Sequence, residues 1–372
     1  MNRVEKHILH LDFKHVDEFC KVAVRATPES KFVFIHYEKG NVSIFAEDYS
    51  GSVNMTQPVE GNSVEFSAGF DFNTFISVFK KFYDGEVKFT FQKSRVHVKL
   101  DNIKATLPVV SPKRRPNNVK VFAMVSDSRK DRLIANLGKC LAIESPTKVA
   151  HKFLGILLDN TEKDLRICNF DAASVYFSVI DRVFNGAYRV VVSNLFAKCA
   201  KSLDKMVTEV LFSDNQIGLK YQHGTVSFAA YMSDSYPQEY VSMWGLPDDY
   251  SKFANSEYSK CKFEKESLFN AVELISSILG DDDNWLHFET VGEAEGCLVW
   301  RLSGASYSGK KIEEKILSSK GLDVEPFKVH KKSLLKCLGV YEEDLYMVDL
   351  SPSVAVFTDE FGRITLISKA KV

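Results

Sequence analysis

From Pro326 to Val372 the sequence lays out a short amphipathic helix followed by runs of period two, and the same pair of patterns recurs along the chain. Leu334, Leu335 and Leu338 fall at helical spacing, which sets Lys331, Lys332 and Lys336 on the opposite side; the spacing predicts a helix over residues 330–338 that Gly339 ends. Tyr346, Val348 and Leu350, then Val354 and Val356, then Ile364 and Leu366 alternate as strands do. Turns fall at Ser351-Pro352 and Asp359-Glu360-Phe361-Gly362. A helix and a small meander each carry an apolar face, and neither is large enough to bury the other's alone. Such a unit has to pack against copies of itself, so the repeat constrains the fold more than any other feature.

Earlier copies read the same way. Residues 7–11 predict a strand and 13–25 a helix with Val16, Phe19, Cys20, Val22 and Val24 as its apolar positions, and a meander follows over 32–36, 42–45 and 52–55. The next copy has a helix marked by Phe72, Phe75, Ile76 and Phe79, then strands over 87–91, 96–100 and 103–107. Ser111-Pro112-Lys113-Arg114-Arg115-Pro116 interrupts the pattern and reads as a linker. Helices over 129–142 and 193–205, the latter with Ser193 as N-cap, then belong to a second pair of units, and a strand at 261–263 with a helix over 267–279 opens a third. The fold class is therefore α+β, in three tandem domains at 1–118 (with the linker), 119–250 and 251–372, each made of two strand-helix-meander halves. Superposing the second halves sets Lys80 with Lys201, and Ser77 with Lys198 and Lys336, at the outward position of each helix.

Composition narrows the function classes. A formal net charge of -1 means that any nucleic-acid surface must be a local concentration of Lys and Arg balanced elsewhere. The seven cysteines are scattered without a C-x-x-C pair, which favours structural thiols over a metal site. No apolar run approaches the roughly 18 to 20 residues that span a bilayer, and no signal peptide is read at the start, so a cytoplasmic protein is expected. Gly304-Ala305-Ser306-Tyr307-Ser308-Gly309-Lys310-Lys311 has P-loop spacing, but Lys311 stands where a magnesium-binding Ser or Thr belongs and no strand-loop-helix surrounds it. Asp281-Asp282-Asp283 reads as a solvated turn, since consecutive acids on a regular element cannot all face one ion. No catalytic constellation emerges, and neither enzyme activity nor a cofactor or metal is expected.

Six such units in three domains, over nearly the whole chain, resemble the bacterial-type DNA polymerase sliding clamp, the beta clamp. The matching stretches are Asn41-Val42-Ser43-Ile44-Phe45-Ala46-Glu47-Asp48-Tyr49, Ala105-Thr106-Leu107-Pro108, Ser233-Asp234-Ser235-Tyr236-Pro237, and Ile364 to the C-terminal Val372. The specificity lies in their order and spacing. The chain departs from the family at Asp171-Ala172-Ala173-Ser174, where Gly-His-Arg usually follows the Asp, and at the Ser368-Lys369-Ala370-Lys371 ending; this fits a divergent or phage-encoded member, in which case the compartment is the host cytoplasm.

The resemblance implies a processivity factor: a head-to-tail homodimer closing a ring around duplex DNA, sheets outside and helices lining the hole, opened by an ATP-dependent clamp loader and tethering a DNA polymerase. The alternative is a repeat-built interaction protein that does not encircle DNA. Candidate lining residues are Arg25, Lys80, Lys81, Lys130, Arg132, Lys139, Lys198, Lys201, Lys205, Lys331, Lys332 and Lys336. Flexible lysines attract phosphates without imposing a register, as sliding requires. The family's partner-peptide cleft maps onto Val175, Pro237 and Leu366, with Phe153, Phe170, Met243 and Ile367 close by. The family's apolar dimer contact maps onto Ile278 and Leu279, facing residues 99–107 of the other subunit with Ile103 among them.

Overall fold

The computed structural model describes residues 7–59, 65–81, 85–92, 94–100, 103–110, 123–143, 155–170, 174–213, 215–232, 260–280, 284–306, 309–319, 324–351, 354–361 and 363–371. In chain order the first elements are β1 (His7–Asp12), α1 (Phe13–Ala26), β2 (Phe32–Glu38), β3 (Asn41–Glu47), β4 (Gly51–Pro58), β5 (Phe66–Asp71), α2 (Phe72–Phe79), β6 (Glu86–Gln92), β7 (Arg95–Leu100) and β8 (Ile103–Pro108). Next come β9 (Ala123–Val125), α3 (Ser128–Cys140), β10 (Ile156–Asn160), β11 (Asp164–Phe170), β12 (Ser174–Asp181), β13 (Tyr188–Val192), α4 (Asn194–Leu203), β14 (Val207–Ser213), β15 (Gln216–Tyr221) and β16 (Gly224–Met232). The last are β17 (Lys260–Phe263), α5 (Lys265–Leu279), β18 (Trp285–Ala294), β19 (Cys297–Ala305), β20 (Lys311–Ser318), β21 (Phe327–His330), α6 (Lys331–Leu338), β22 (Leu345–Ser351), β23 (Val354–Thr358) and β24 (Ile364–Lys371).

The pairing adds a rule that the side-chain pattern does not carry. The strand before each helix joins the meander of the other half: β1 pairs with β6 and β5 with β2, β9 with β14 and β13 with β10, β17 with β22 and β21 with β18, all antiparallel. A second rule joins successive repeats. β4 pairs with β16, and β12 pairs with β24, so the third meander strand of a first half meets the last strand of the following second half. Contacts accordingly divide the chain into two compact units, residues 1–134 with 195–231 and residues 135–194 with 232–372.

In the first unit α1 and α2 leave their strands with no intervening loop, and each start is fixed by an aspartate. Asp12 Oδ1 accepts from the Lys14 backbone N–H at 2.9 Å, and Asp71 Oδ1 from that of Thr74 at 2.8 Å. Val16, Phe19, Cys20, Val22 and Ala23 of α1 are buried, whereas Val24, expected on the same apolar face, is exposed; Phe19 meets Phe75 of α2 edge-to-face at 6.5 Å. The β15–β16 turn is keyed to α1: the His223 ring packs on that of His15 at 3.7 Å, and His223 Nδ1 lies 3.0 Å from Glu18 Oε2. Burial raises the Glu18 carboxyl above its ordinary range and lowers the His223 imidazole, which also feels His15.

In the second unit Gly280 ends α5 with a φ of 64°, a conformation that suits glycine. Lys331 Nζ donates to the Gly280 carbonyl, and the side chain is 2% exposed. This corrects the expectation that Lys331 stands on the outward face of its helix. Because α6 follows β21 directly, its first residue points back at the carbonyl end of α5, where partial negative charge gathers. Lys331→Met is expected to lower the unfolding free energy by about 1–3 kcal/mol in chemical denaturation.

All seven cysteines are free; six are buried, with Cys297 intermediate. Burial pushes the Cys199 thiol up to about 12, a value that suits an inert packing group. Of the glycine-rich stretch, Gly304 and Ala305 end β19 and Lys311 opens β20, and these two strands pair antiparallel where a P-loop would need a following helix; residues 307 and 308 lie outside the described residues. The acidic run at 281–283 lies outside the described residues, and among those described no group of three or more His, Cys, Asp or Glu could hold a metal ion. No described helix is long and apolar enough to cross a membrane.

Candidate nucleic-acid and partner-peptide surfaces

The outward helix faces of the first unit carry exposed Arg25 on α1, Lys80 and Lys81 at the end of α2, and Lys198, Lys201 and Lys205 in and just after α4. Arg25 is close enough to Cys199 to oppose the upward push of burial on that thiol, which brings the end of α1 beside α4 and its lysines. Lys80 acts in the same way on Cys20, so α1 also has the end of α2 beside it. Arg132 is exposed on α3. Lys130, predicted with this set, instead folds back: its Nζ donates to the Val207 carbonyl at 2.6 Å and lies 3.1 Å from Asp131. Arg129, which the sequence reading passed over, is bound to Asp127, whose carboxyl it holds at about 2.

In the second unit Lys332 is exposed and Lys336 half-buried on α6. Lys139 is 3.1 Å from Glu342, and this hydrogen bond, more than the smaller effect of Arg363, lowers the Glu342 carboxyl. Lys139 is thereby already neutralised within its own unit.

A different surface lies on the far side of the sheet from α6. Tyr176, Thr365 and Ile367 face the helices: the Tyr176 hydroxyl is 3.2 Å from Asn136 of α3, and that of Tyr341, just past α6, is 2.8 Å from Thr365. Their sequence neighbours Val175 and Leu366 therefore face the other way, and the two are opposite each other across the β12–β24 seam. Val175, Val179, Val354 and Leu366 are partly buried and pack over a buried cluster of Leu157, Cys168, Phe177, Val191, Val348, Val356 and Ile364. Ile367, grouped with Leu366 from the sequence, is fully buried on the helix side, because adjacent strand residues point to opposite faces. Phe153, Pro237 and Met243 lie outside the described residues, as does the side chain of Phe170. Val179 and Val354 were missed; their period-two relation to Val175 and Val356 was the available signal.

The equivalent seam in the first unit is polar on that face. There Ser52 and Ser227 approach Oγ to Oγ at 2.9 Å across β4–β16, while Val53 and Val226 fill the helix side. One seam architecture is thus built twice, and only the β12–β24 copy carries an apolar outer surface.

Several strands have one partner among the described residues: β1, β5 and β9, and also β8 and most of β20. β8 pairs only with β7 among the described residues, and β20 over Lys311–Leu317 only with β19. Beside β8, a groove of ≈ 450 Å³ is lined by Asn73, Thr74, Ser77, Val78 and Lys81 of the α2 region with Ile103, Lys104 and Ala105. Lys81 thus borders this groove as well as ending α2. Ile103 is 42% exposed and Ile278 of α5 is 40% exposed, whereas Leu279 is 2% exposed and packs toward Gly304. The expectation of an exposed Ile278-Leu279 pair is corrected: a helix turns about 100° per residue, so only one of two neighbours can face out. The second exposed apolar residue is Leu274, one turn before Ile278.

No protein-family model matches the chain, and no curated protein matches it in sequence. Solved structures do match along its whole length. The DNA polymerase sliding clamp of Caulobacter crescentus superposes with a TM-score of 0.80 at 12% identity, covering 100% of each chain. The DNA polymerase III beta subunit of Pseudomonas aeruginosa gives 0.79 at 12% identity, and the Helicobacter pylori beta clamp bound to a DNA ligase peptide gives 0.73 at 14%; each covers 98% of this chain and all of its own. The fold is that of the bacterial beta sliding clamps, an α+β architecture of antiparallel sheet with six α-helices among the described residues.

Proposed function

We propose that this protein is a DNA sliding clamp: three domains, 1–118, 119–250 and 251–372, that pair head-to-tail with a second copy to close a ring around duplex DNA and tether a replicative polymerase. The observation that carries this reading is the seam rule. β4 meets β16 and β12 meets β24, and the next members of the series, β20 over Lys311–Leu317 and β8, each have one strand partner among the described residues. A chain whose next seam needs its own first repeat has to take that repeat from another copy, and a head-to-tail contact of this kind closes when the rotation allows. Ile103 and the groove beside it offer the receiving surface, and Leu274 with Ile278 the apolar knob. Exposed Arg25, Lys198, Lys201 and Lys205 supply sequence-independent attraction to phosphates.

Partners dock on the outer face around Val175 and Leu366; the structurally similar Helicobacter pylori beta clamp is bound to a DNA ligase peptide in its own structure, which supports a clamp-type partner. The role is non-catalytic and cytoplasmic, with polymerase and an ATP-dependent loader as partners. The test is topological. With cognate polymerase and loader, primer extension on a circular template should yield longer products, and the protein should be retained on nicked circular DNA but released once that DNA is linearised. Equal retention on both forms would favour a repeat-built interaction protein that binds without encircling.

A further inference from the structure

The two seams within the chain, together with charges on β8 and β20, fix more than the presence of a third seam. We infer that β20 of one copy pairs antiparallel with β8 of a second in one register, Lys311 opposite Thr106, Ile312 opposite Ala105, Glu313 opposite Lys104 and Glu314 opposite Ile103. This rests on the head-to-tail reading above and specifies the contact it requires.

Face matching is the first constraint. On β20, Ile312 pairs with Gly304, whose Cα faces Leu279 and Ile275 of α5, so Ile312, Glu314 and Ile316 form the helix-side row and Lys311, Glu313 and Lys315 the outer row. On β8, Ile103, Ala105 and Leu107 are opposite the buried Leu100, Val98 and Val96 of β7, so these three form the helix-side row and Lys104 and Thr106 the outer row. In both existing seams helix-side residues are paired with each other, Val53 with Val226 and Tyr176 with Thr365. A shift of one residue would set buried faces against exposed ones and is excluded. Only registers two residues apart remain.

Charge selects among them. Slipping two residues one way places Lys311 opposite Lys104, and slipping two the other way places Lys315 there. Like charges directly opposite are destabilising, and opposite charges stabilise. The intermediate register alone gives Lys104 an acidic partner, Glu313, and both side chains are exposed at their free edges. On the helix side it brings Glu314 next to Ile103, at the mouth of the groove that Lys81 lines. The internal seams agree in offset: counted from the strand starts, the first residues of β4 and β12 meet the fifth residue of β16 and the fourth of β24, and here Lys311 meets the fourth residue of β8. The partner is therefore a second copy of this chain, and the Lys-Glu-Lys spacing on β20 penalises slipped closure.

Two measurements on the full-length protein test this. Lys104→Glu and Glu313→Lys, made singly, are each expected to raise the dimer dissociation constant about tenfold, since each alters both contacts of a closed ring, and the double reversal should restore it. In an otherwise native chain, Thr106→Cys with Lys311→Cys should cross-link between subunits on mild oxidation, whereas Thr106→Cys with Glu313→Cys should not. Cross-linking of the second pair in preference to the first, or a double reversal no tighter than the singles, would overturn the register while leaving the ring intact. A wild-type protein that stays monomeric at micromolar concentration would remove the ring reading itself, and the register with it.

Discussion

Reversing the charge of Arg25, Lys198 and Lys201 together is expected to weaken equilibrium binding to duplex DNA by about 100-fold at ~0.1 M salt, and to flatten the slope of log affinity against log salt by about 3. All three side chains are exposed, and the approach of Arg25 to Cys199 places them on neighbouring helices of one unit. Each phosphate contact releases condensed counterions, so losing three removes a term that grows as salt falls. None of the three lines the β8 groove or lies on β20, so sedimentation should find the variant as dimeric as the parent. Lys331→Met is the internal control, because its ammonium is already committed to the Gly280 carbonyl. Titration of a labelled duplex at several salt concentrations reads both numbers. An unchanged slope in the triple variant would mean that these helices do not face DNA.

Much of this architecture was legible from periodicity. The predicted helix over 13–25 is observed as α1 (Phe13–Ala26), and the helix predicted for 330–338 as α6 (Lys331–Leu338), because each carries a long apolar stripe and begins at a strand-to-helix change of period. The exchange of β1 and β5 between half-sheets was not legible. It is carried by backbone hydrogen bonds, which leave no mark on side-chain pattern. The same limit applied to the basic residues: a lysine at helical spacing looks outward whether it is exposed, as Lys201 is, or folded onto a carbonyl, as Lys130 and Lys331 are. Leu366 and Ile367 show the opposite case. Period two alone separates them, and grouping them by adjacency overrode a signal that was present.

Leu366→Asp should weaken partner-peptide binding by roughly 30-fold or more while leaving the ring and its hold on DNA intact, and this is the sharpest separation of the two surfaces. Leu366 sits opposite Val175 at the centre of the apolar outer face, partly buried over Ile364, Phe177 and Val356. A carboxylate there would have to be desolvated beneath an apolar anchor with no cation in the cluster to pair it, a cost of about 2 kcal/mol or more, equivalent to roughly 30-fold in affinity. In the free protein the same carboxylate stays hydrated, because Leu366 is only partly buried, so the fold tolerates it better than it would Ile367→Asp on the fully buried face. The polar seam supplies the matched control. Ser227→Asp lies on the corresponding strand beside Ser52 and should leave peptide binding unaffected. Peptide binding can be followed by anisotropy with a labelled segment of the cognate polymerase, beside primer extension on a circular template. Loss of extension in Leu366→Asp but not in Ser227→Asp would tie polymerase tethering to the one seam of the two that is apolar. Loss in both would point to a general effect of charge on the outer sheet, and loss in neither would place the partner site elsewhere.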